Sequence, residues 1–176
     1  MNIAVYLGSG EGKREIFRQA AQELGAWIGR NGHVLIYGGS DMGLMGVLAN
    51  AVLAEQGKVI GVEPRFFVEE KVQHSGITEL IVTETMAERK QKMMELADAF
   101  VAFPGGIGTL EEIAEVMTLS KLGRITKPFC FLNIDGYYEP FRNFLTHMAQ
   151  EGFWENEWAN AVCFAKTVDD MERRIA

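Results

Sequence analysis

Two short stretches of this sequence hold side chains able to act on a small anion. One is Met86-Ala87-Glu88-Arg89-Lys90; the other is Pro104-Gly105-Gly106-Ile107-Gly108-Thr109-Leu110-Glu111-Glu112. Arg89 offers a planar guanidinium that grips a phosphate with two parallel hydrogen bonds, and Lys90 adds a point charge. Gly105, Gly106 and Gly108 let the backbone come close to a ligand, with Thr109 supplying a hydroxyl. A helix starting after this loop would aim free N–H groups and the positive end of its dipole at the phosphate. Glu112 is then a carboxylate beside a phosphate-holding loop. There it can activate water or stabilise a developing positive charge.

Each stretch also has a plainer reading. Thr109-x-x-Glu112 has the spacing of a capping box, with Thr109 at the N-cap and Glu112 three residues on. Glu88 and Lys92 stand four apart, as on a solvated helix face. Both readings stay open at the level of spacing. Asp41 and Asp98 read as turn and loop residues.

The elements that must position these groups follow from hydrophobic pattern. Apolar runs at Ile3–Leu7, His33–Tyr37, Val59–Val62, Leu80–Val82, Ala99–Phe103, Phe129–Leu132 and Ala161–Phe164 read as strands. Between them, helical spacing appears over Ile16–Ile28, Leu44–Glu55, Met86–Leu96, Thr109–Leu122 and Tyr138–Glu151, with a terminal helix from Val168. Residues 65–79 read as a loop or short helix. Strands apolar throughout, separated by helices, predict a single α/β domain: a Rossmann-like doubly wound parallel sheet with helices on both faces.

Glycine supports that placement. The chain has 19 glycines in 176 residues, above the usual share of roughly 7%. Ten fall in three clusters at predicted strand ends: Gly8, Gly10, Gly12; Gly38, Gly39, Gly43, Gly46; and Gly105, Gly106, Gly108. Ligands of such sheets bind beyond the carboxyl ends of the strands. Ser9, Gly39 and Ser40 therefore join the candidate binding residues. Gly8-Ser9-Gly10-Glu11-Gly12-Lys13 lacks the third glycine of a dinucleotide fingerprint and the spacing of a Walker A loop. The expected ligand is a mononucleotide or a sugar phosphate.

Composition excludes other classes. With 24 acidic and 17 basic residues the net charge is −7, which argues against a general nucleic-acid partner. It also makes the local pair Arg89-Lys90 more telling. No apolar run approaches the ~18–20 residues of a membrane span. Met1–Leu7 lacks a basic leader, so a cytoplasmic location is expected. Cys130 and Cys163 form no CxxC and lie in apolar stretches, where buried reduced thiols are expected. His33, His74 and His147 show no metal-ligand spacing, so no metal is expected.

Read together, three blocks resemble the LOG family, the cytokinin riboside 5′-monophosphate phosphoribohydrolases once labelled lysine decarboxylases. They are Tyr37-Gly38-Gly39-Ser40 with Gly43-Leu44-Met45-Gly46, then Arg89-Lys90, and the run from Pro104 to Glu112. Leu132-Asn133-Ile134-Asp135-Gly136-Tyr137-Tyr138 extends the similarity. The resemblance implies hydrolysis of the N-glycosidic bond of a nucleoside 5′-monophosphate without a cofactor, by a homodimer with its site near the subunit interface. It carries the catalytic roles to Arg89 and Glu112. Substrate contacts fall on Lys90, on Gly106 to Glu112 and on Thr118. The chain departs from the family pattern at Ser40, Lys71, Leu119, Lys121 and Ile125, which bears on the choice of base. Two rivals remain: a molybdenum-cofactor carrier-like binding protein, and a pyridoxal-phosphate decarboxylase, for which no lysine here has a fitting setting.

Overall fold

The computed structural model describes residues 1–175. Seven strands form one parallel sheet: β1 (Asn2–Tyr6), β2 (Val34–Tyr37), β3 (Lys58–Pro64), β4 (Glu79–Thr83), β5 (Ala99–Ala102), β6 (Phe129–Leu132) and β7 (Cys163–Ala165). Their spatial order is β4-β3-β2-β1-β5-β6-β7. The chain steps outward from β1 to β4, then returns to place β5 on the other side of β1. The register is Ile3 opposite Leu35 on one side of β1 and opposite Ala99 on the other.

Both faces are covered, which is why the strands read as unbroken apolar runs. Ile3 and Val5 point to one face, where α1 (Glu15–Arg30), α2 (Gly43–Ala54) and α8 (Val168–Ile175) bury Leu24, Leu48 and Met171. Ala4 and Tyr6 point to the other, against Met93 of α4 (Met86–Leu96), Val116 of α5 (Ile107–Lys121) and Leu145 of α6 (Glu139–Gln150). This is the period-two alternation of a pleated strand, satisfied on both sides. No described helix is long and apolar enough to cross a membrane.

Residues 65–79, read as a loop or short helix, contain a short helix, α3 (Arg65–Glu69). Other expectations are corrected. The last strand starts at Cys163, because Asn156–Ala161 forms α7. Helix α5 begins at Ile107, two residues before Thr109, with Gly106 as its N-cap. Cys130 and Cys163 are not reduced thiols. They are joined as a disulfide, with Cα atoms 4.6 Å apart, since the pairing of β6 with β7 sets them directly opposite. Nothing local in the sequence reveals a register between strands 33 residues apart.

Candidate active site

The reversal of strand order puts the sheet's switch point between β1 and β5, where parallel sheets open a crevice. A cleft of about 380 Å³ lies there. Gly8, Ser9 and Gly10 line it from the loop after β1, Pro104, Gly105 and Gly106 from the loop after β5, and Phe17 and Tyr137 close its side. The two loops touch: a Cβ on Gly105 would collide with Thr109 Oγ1 and come within 2.7 Å of the Gly8 amide. Only glycine permits that approach.

Helix α5 points its start into this region. Its first internal bond runs from the Leu110 amide to the Gly106 carbonyl, so the amides of Ile107, Gly108 and Thr109 have no partner within the helix. They are donors for an anion. Thr109, at N3, is 3% exposed, and Glu112 lies further into the helix. The capping-box reading of these two residues is therefore overturned. A side-chain cap does form on α4, where Thr85 Oγ1 accepts from the Glu88 amide and Glu88 Oε2 accepts from the Glu84 amide, just before the N-cap. Lys92 pairs with Glu95 rather than with Glu88.

That cap fixes the first turn of α4 and hence Arg89. Arg89 Nε donates to the Val62 carbonyl at 3.0 Å, and Nη1 donates to Glu112 Oε1 at 2.6 Å. The two residues are 9% and 7% exposed. Burial pushes the Glu112 carboxyl up, while the Arg89 guanidinium pulls it back. Tyr6, at the end of β1, is held in its neutral form by burial and then by Glu112. Lys90, on the same turn, is partly buried. It donates to Glu111 and forms an ion pair with Glu115 at 2.9 Å, and both carboxylates raise its pKa.

The predicted residues thus fall into two groups. Ser9, Gly105, Gly106, Ile107, Gly108 and Thr109 meet at the cleft and the helix start. Arg89, Lys90 and Glu112 cluster between α4 and α5. Gly39 lies beyond β2 with φ +90°. Ser40 is occupied elsewhere: its Oγ donates to the Val72 carbonyl and accepts from the Met42 amide. Thr118 stands apart on α5, where its hydroxyl donates to the Ala114 carbonyl. It borders an apolar hollow of about 470 Å³ that also holds Met117, Leu145 and Trp154.

Two site residues escape the spacing arguments. Tyr137 donates its hydroxyl to the Gly105 carbonyl at 2.6 Å and meets Phe17 edge-on. The signal for it is the tight turn before it, where Asp135 and Gly136 both have positive φ. Glu63, at the end of β3, is a charged residue in an apolar strand and is 1% exposed.

Glycine loops at a switch point, with a buried arginine–glutamate pair on the adjoining helices, define a class of parallel α/β proteins with a crevice beyond the carboxyl ends of the strands. The comparisons narrow the class. A family model described as "Possible lysine decarboxylase" matches residues 45–175. The chain is 40% identical over 173 residues to the cytokinin riboside 5′-monophosphate phosphoribohydrolase LOG of Oryza sativa subsp. japonica, covering 98% of this chain and 72% of that protein. It is 42% identical over 176 residues to the cytokinin riboside 5′-monophosphate phosphoribohydrolase of Rhodococcoides fascians, covering 99% and 87%. Among solved structures, the molybdenum cofactor binding protein from Rippkaea orientalis superposes with a TM-score of 0.72 at 25% identity, over 98% of this chain and 93% of that one. The chain belongs to the LOG family of phosphoribohydrolases.

Proposed function

We propose that this protein hydrolyses the N-glycosidic bond of a nucleoside 5′-monophosphate, a cytokinin riboside monophosphate or AMP, giving free base and ribose 5-phosphate. The observation that carries the reading is the buried Arg89–Glu112 pair set beside the anion-ready start of α5. The amides of Ile107, Gly108 and Thr109 hold the 5′-phosphate, with Gly105 and Gly106 allowing its approach and Ser9 adding a hydroxyl from the rim. Lys90 supplies positive potential in an otherwise acidic chain.

At the ribose, the C1′–N bond lengthens and positive charge builds on C1′ and the ring oxygen. Glu112 stabilises that charge or orients the incoming water. Arg89 holds the substrate and keeps Glu112 from being a lone buried charge. The base leaves with the bonding electron pair and takes up a proton. Water adds its oxygen to C1′ and loses a proton.

We further propose a one-domain cytoplasmic homodimer. About 14 Å of helix separates Thr109 from Thr118 at 1.5 Å per residue. Thr118 therefore contacts substrate by way of a second copy, with the apolar hollow at the junction. Base release from AMP and isopentenyl-AMP, measured for wild type, Glu112→Gln and Arg89→Ala, tests the reading. Wild type releases base, and both variants lose it while still folded. Tight nucleotide binding without base release would favour the carrier reading instead.

A further inference from the structure

Glu63 is, among the described residues, a buried carboxyl for which this mechanism has no use. It is the sixth residue of β3 and is almost fully enclosed. Among the described residues its side chain makes no hydrogen bond or ion pair, and Oε2 is sealed from solvent without a partner. A buried carboxyl left in that state is costly, and a fold keeps few of them.

The surroundings show what it faces. From β2, Tyr37 presents a hydroxyl that is also buried and unpartnered, and Glu63 helps to keep that phenol neutral. Above lies Gly39, where a Cβ would sit 3.2 Å from Glu63 Cβ and 3.5 Å from its carboxyl carbon. From β4 come apolar side chains, Leu80 and Val82, and α2 has no charged residue between Gly43 and Ala54. Arg65 of α3 is drawn outward to Glu84. In the covering loops, Asp41 and His74 pair with each other at 3.5 Å. That leaves Arg89 of α4. Its Nε is bonded to the carbonyl of Val62, the residue just before Glu63, and its Nη2 lies over Gly38, the residue just before Gly39. Among the described residues Nη2 has no hydrogen-bond partner. One guanidinium thus acts on two buried carboxyls: Glu112, which it bonds, and Glu63, which it does not bond but whose charged form it favours.

We propose that Glu63 is a positioning residue for the reaction at Arg89 and Glu112: charged, it competes with Glu112 for the Arg89 guanidinium, and neutral, it leaves Arg89 to Glu112. The inference rests on the phosphoribohydrolase reading above. Burial lifts the Glu63 pKa to about 7 against the pull of Arg89, so the exchange between the two forms falls in the working range of pH.

Glu63→Gln keeps the shape and fixes the neutral form. Base release from AMP is followed from pH 5.5 to 9 for wild type and variant. The ratio of the two is informative because the second ionisation of the substrate phosphate, near pH 6, is common to both. At the acid end the two turnover numbers coincide. Above pH 8 the variant exceeds wild type by about three- to tenfold, with the change in kcat rather than KM, since one pKa unit of differential interaction is a factor of ten. Profiles that stay parallel overturn the proposal, because a residue that only fills space acts alike at every pH. Should the glutamine variant fail to fold, Glu63→Met carries the same comparison. If wild type releases no base at any pH, the phosphoribohydrolase reading fails on its own. Calorimetric titration with AMP then reads Glu63: affinities that coincide at pH 6 and diverge above pH 7 support its coupling to Arg89, and parallel affinities overturn it.

Discussion

Two ion-pair sites join the same pair of helices one residue apart, and they are built in opposite ways. Arg89–Glu112 lies inside, with side chains 11% and 8% exposed. Lys90 with Glu111 and Glu115 lies at the rim, where the two carboxylates are 52% and 38% exposed. Rim pairs gain little, because water screens them and long side chains must be held still. A buried pair must recover a desolvation penalty of several kcal/mol per ion, and well-packed apolar residues often serve stability as well or better. The inner pair is thus a poor device for holding α4 to α5 and a good one for chemistry. A dry guanidinium and carboxylate act on a substrate at full strength. The outer pair keeps a cation close to the site.

The sharpest way to break this contrast is to remove one inner partner. Arg89→Ala and Glu112→Gln should each lower kcat for base release by about a thousandfold or more, the scale of losing a group that acts only on the transition state. Arg89→Ala should also cost about 3–5 kcal/mol of stability, because Glu112 is left buried and alone. Urea unfolding measures that. The double variant Arg89→Met/Glu112→Leu should recover most of the stability and none of the activity. A double variant as unstable as Arg89→Ala would mean the pair is needed for folding after all.

Glu63 extends the contrast to a buried carboxylate without a bonded partner. Its folded pKa of about 7 lies above the unfolded value of about 4.3. The folded state therefore holds more protons between those values. Stability falls as pH rises through that window and stays at the lower level above it. Relative to wild type, Glu63→Gln should melt alike near pH 4.5 and be more stable by about 2–3 kcal/mol at pH 8. A gain that is the same at both pH values would show that the side chain is not ionising.

How far these two sites can be read from sequence differs for the same physical reason. The alternation of strands and helices is local in pattern, and β1, β2, β6 and α4 stand within a residue or two of where apolar spacing puts them. The residue types of the site are also local: glycines for close approach, Arg89 for anions, Glu112 as a first candidate carboxylate. Geometry across the sheet is not. The Thr109-x-x-Glu112 spacing suggested a cap, but Gly106 starts α5, and only the tertiary pairing with Arg89 assigns Glu112 its partner. Cys130 and Cys163 looked like separate buried thiols because register between β6 and β7 has no local signature. The Ser40 hydroxyl serves two backbone groups of its loop, a pairing that spacing along the chain does not show. Glu63 fell outside the apolar run Val59–Val62, although β3 continues through it to Pro64 and buries it.

The outer pair should respond mildly. Lys90→Ala removes bonds to Glu111 and Glu115 that water already weakens, so the loss of stability should stay below about 1 kcal/mol. Its effect should appear instead as a KM for the monophosphate raised by about tenfold at low salt, because the lost charge served to attract the anion. Raising the ionic strength should shrink that factor, since the Debye length contracts from about 10 Å at 0.1 M to about 3 Å at 1 M.

The smallest effect is expected where an uncharged group supports the loop. The Tyr137 hydroxyl braces the Gly105 carbonyl, and the ring also closes one side of the cleft. Tyr137→Phe keeps the ring and removes one neutral hydrogen bond, of about 0.5–1.5 kcal/mol. If that brace orders the phosphate loop, KM should rise by about two- to tenfold with kcat nearly unchanged. A fall in kcat instead would place Tyr137 with Arg89 and Glu112 among the groups that act on the transition state, and would move the boundary between the two regions into the cleft itself.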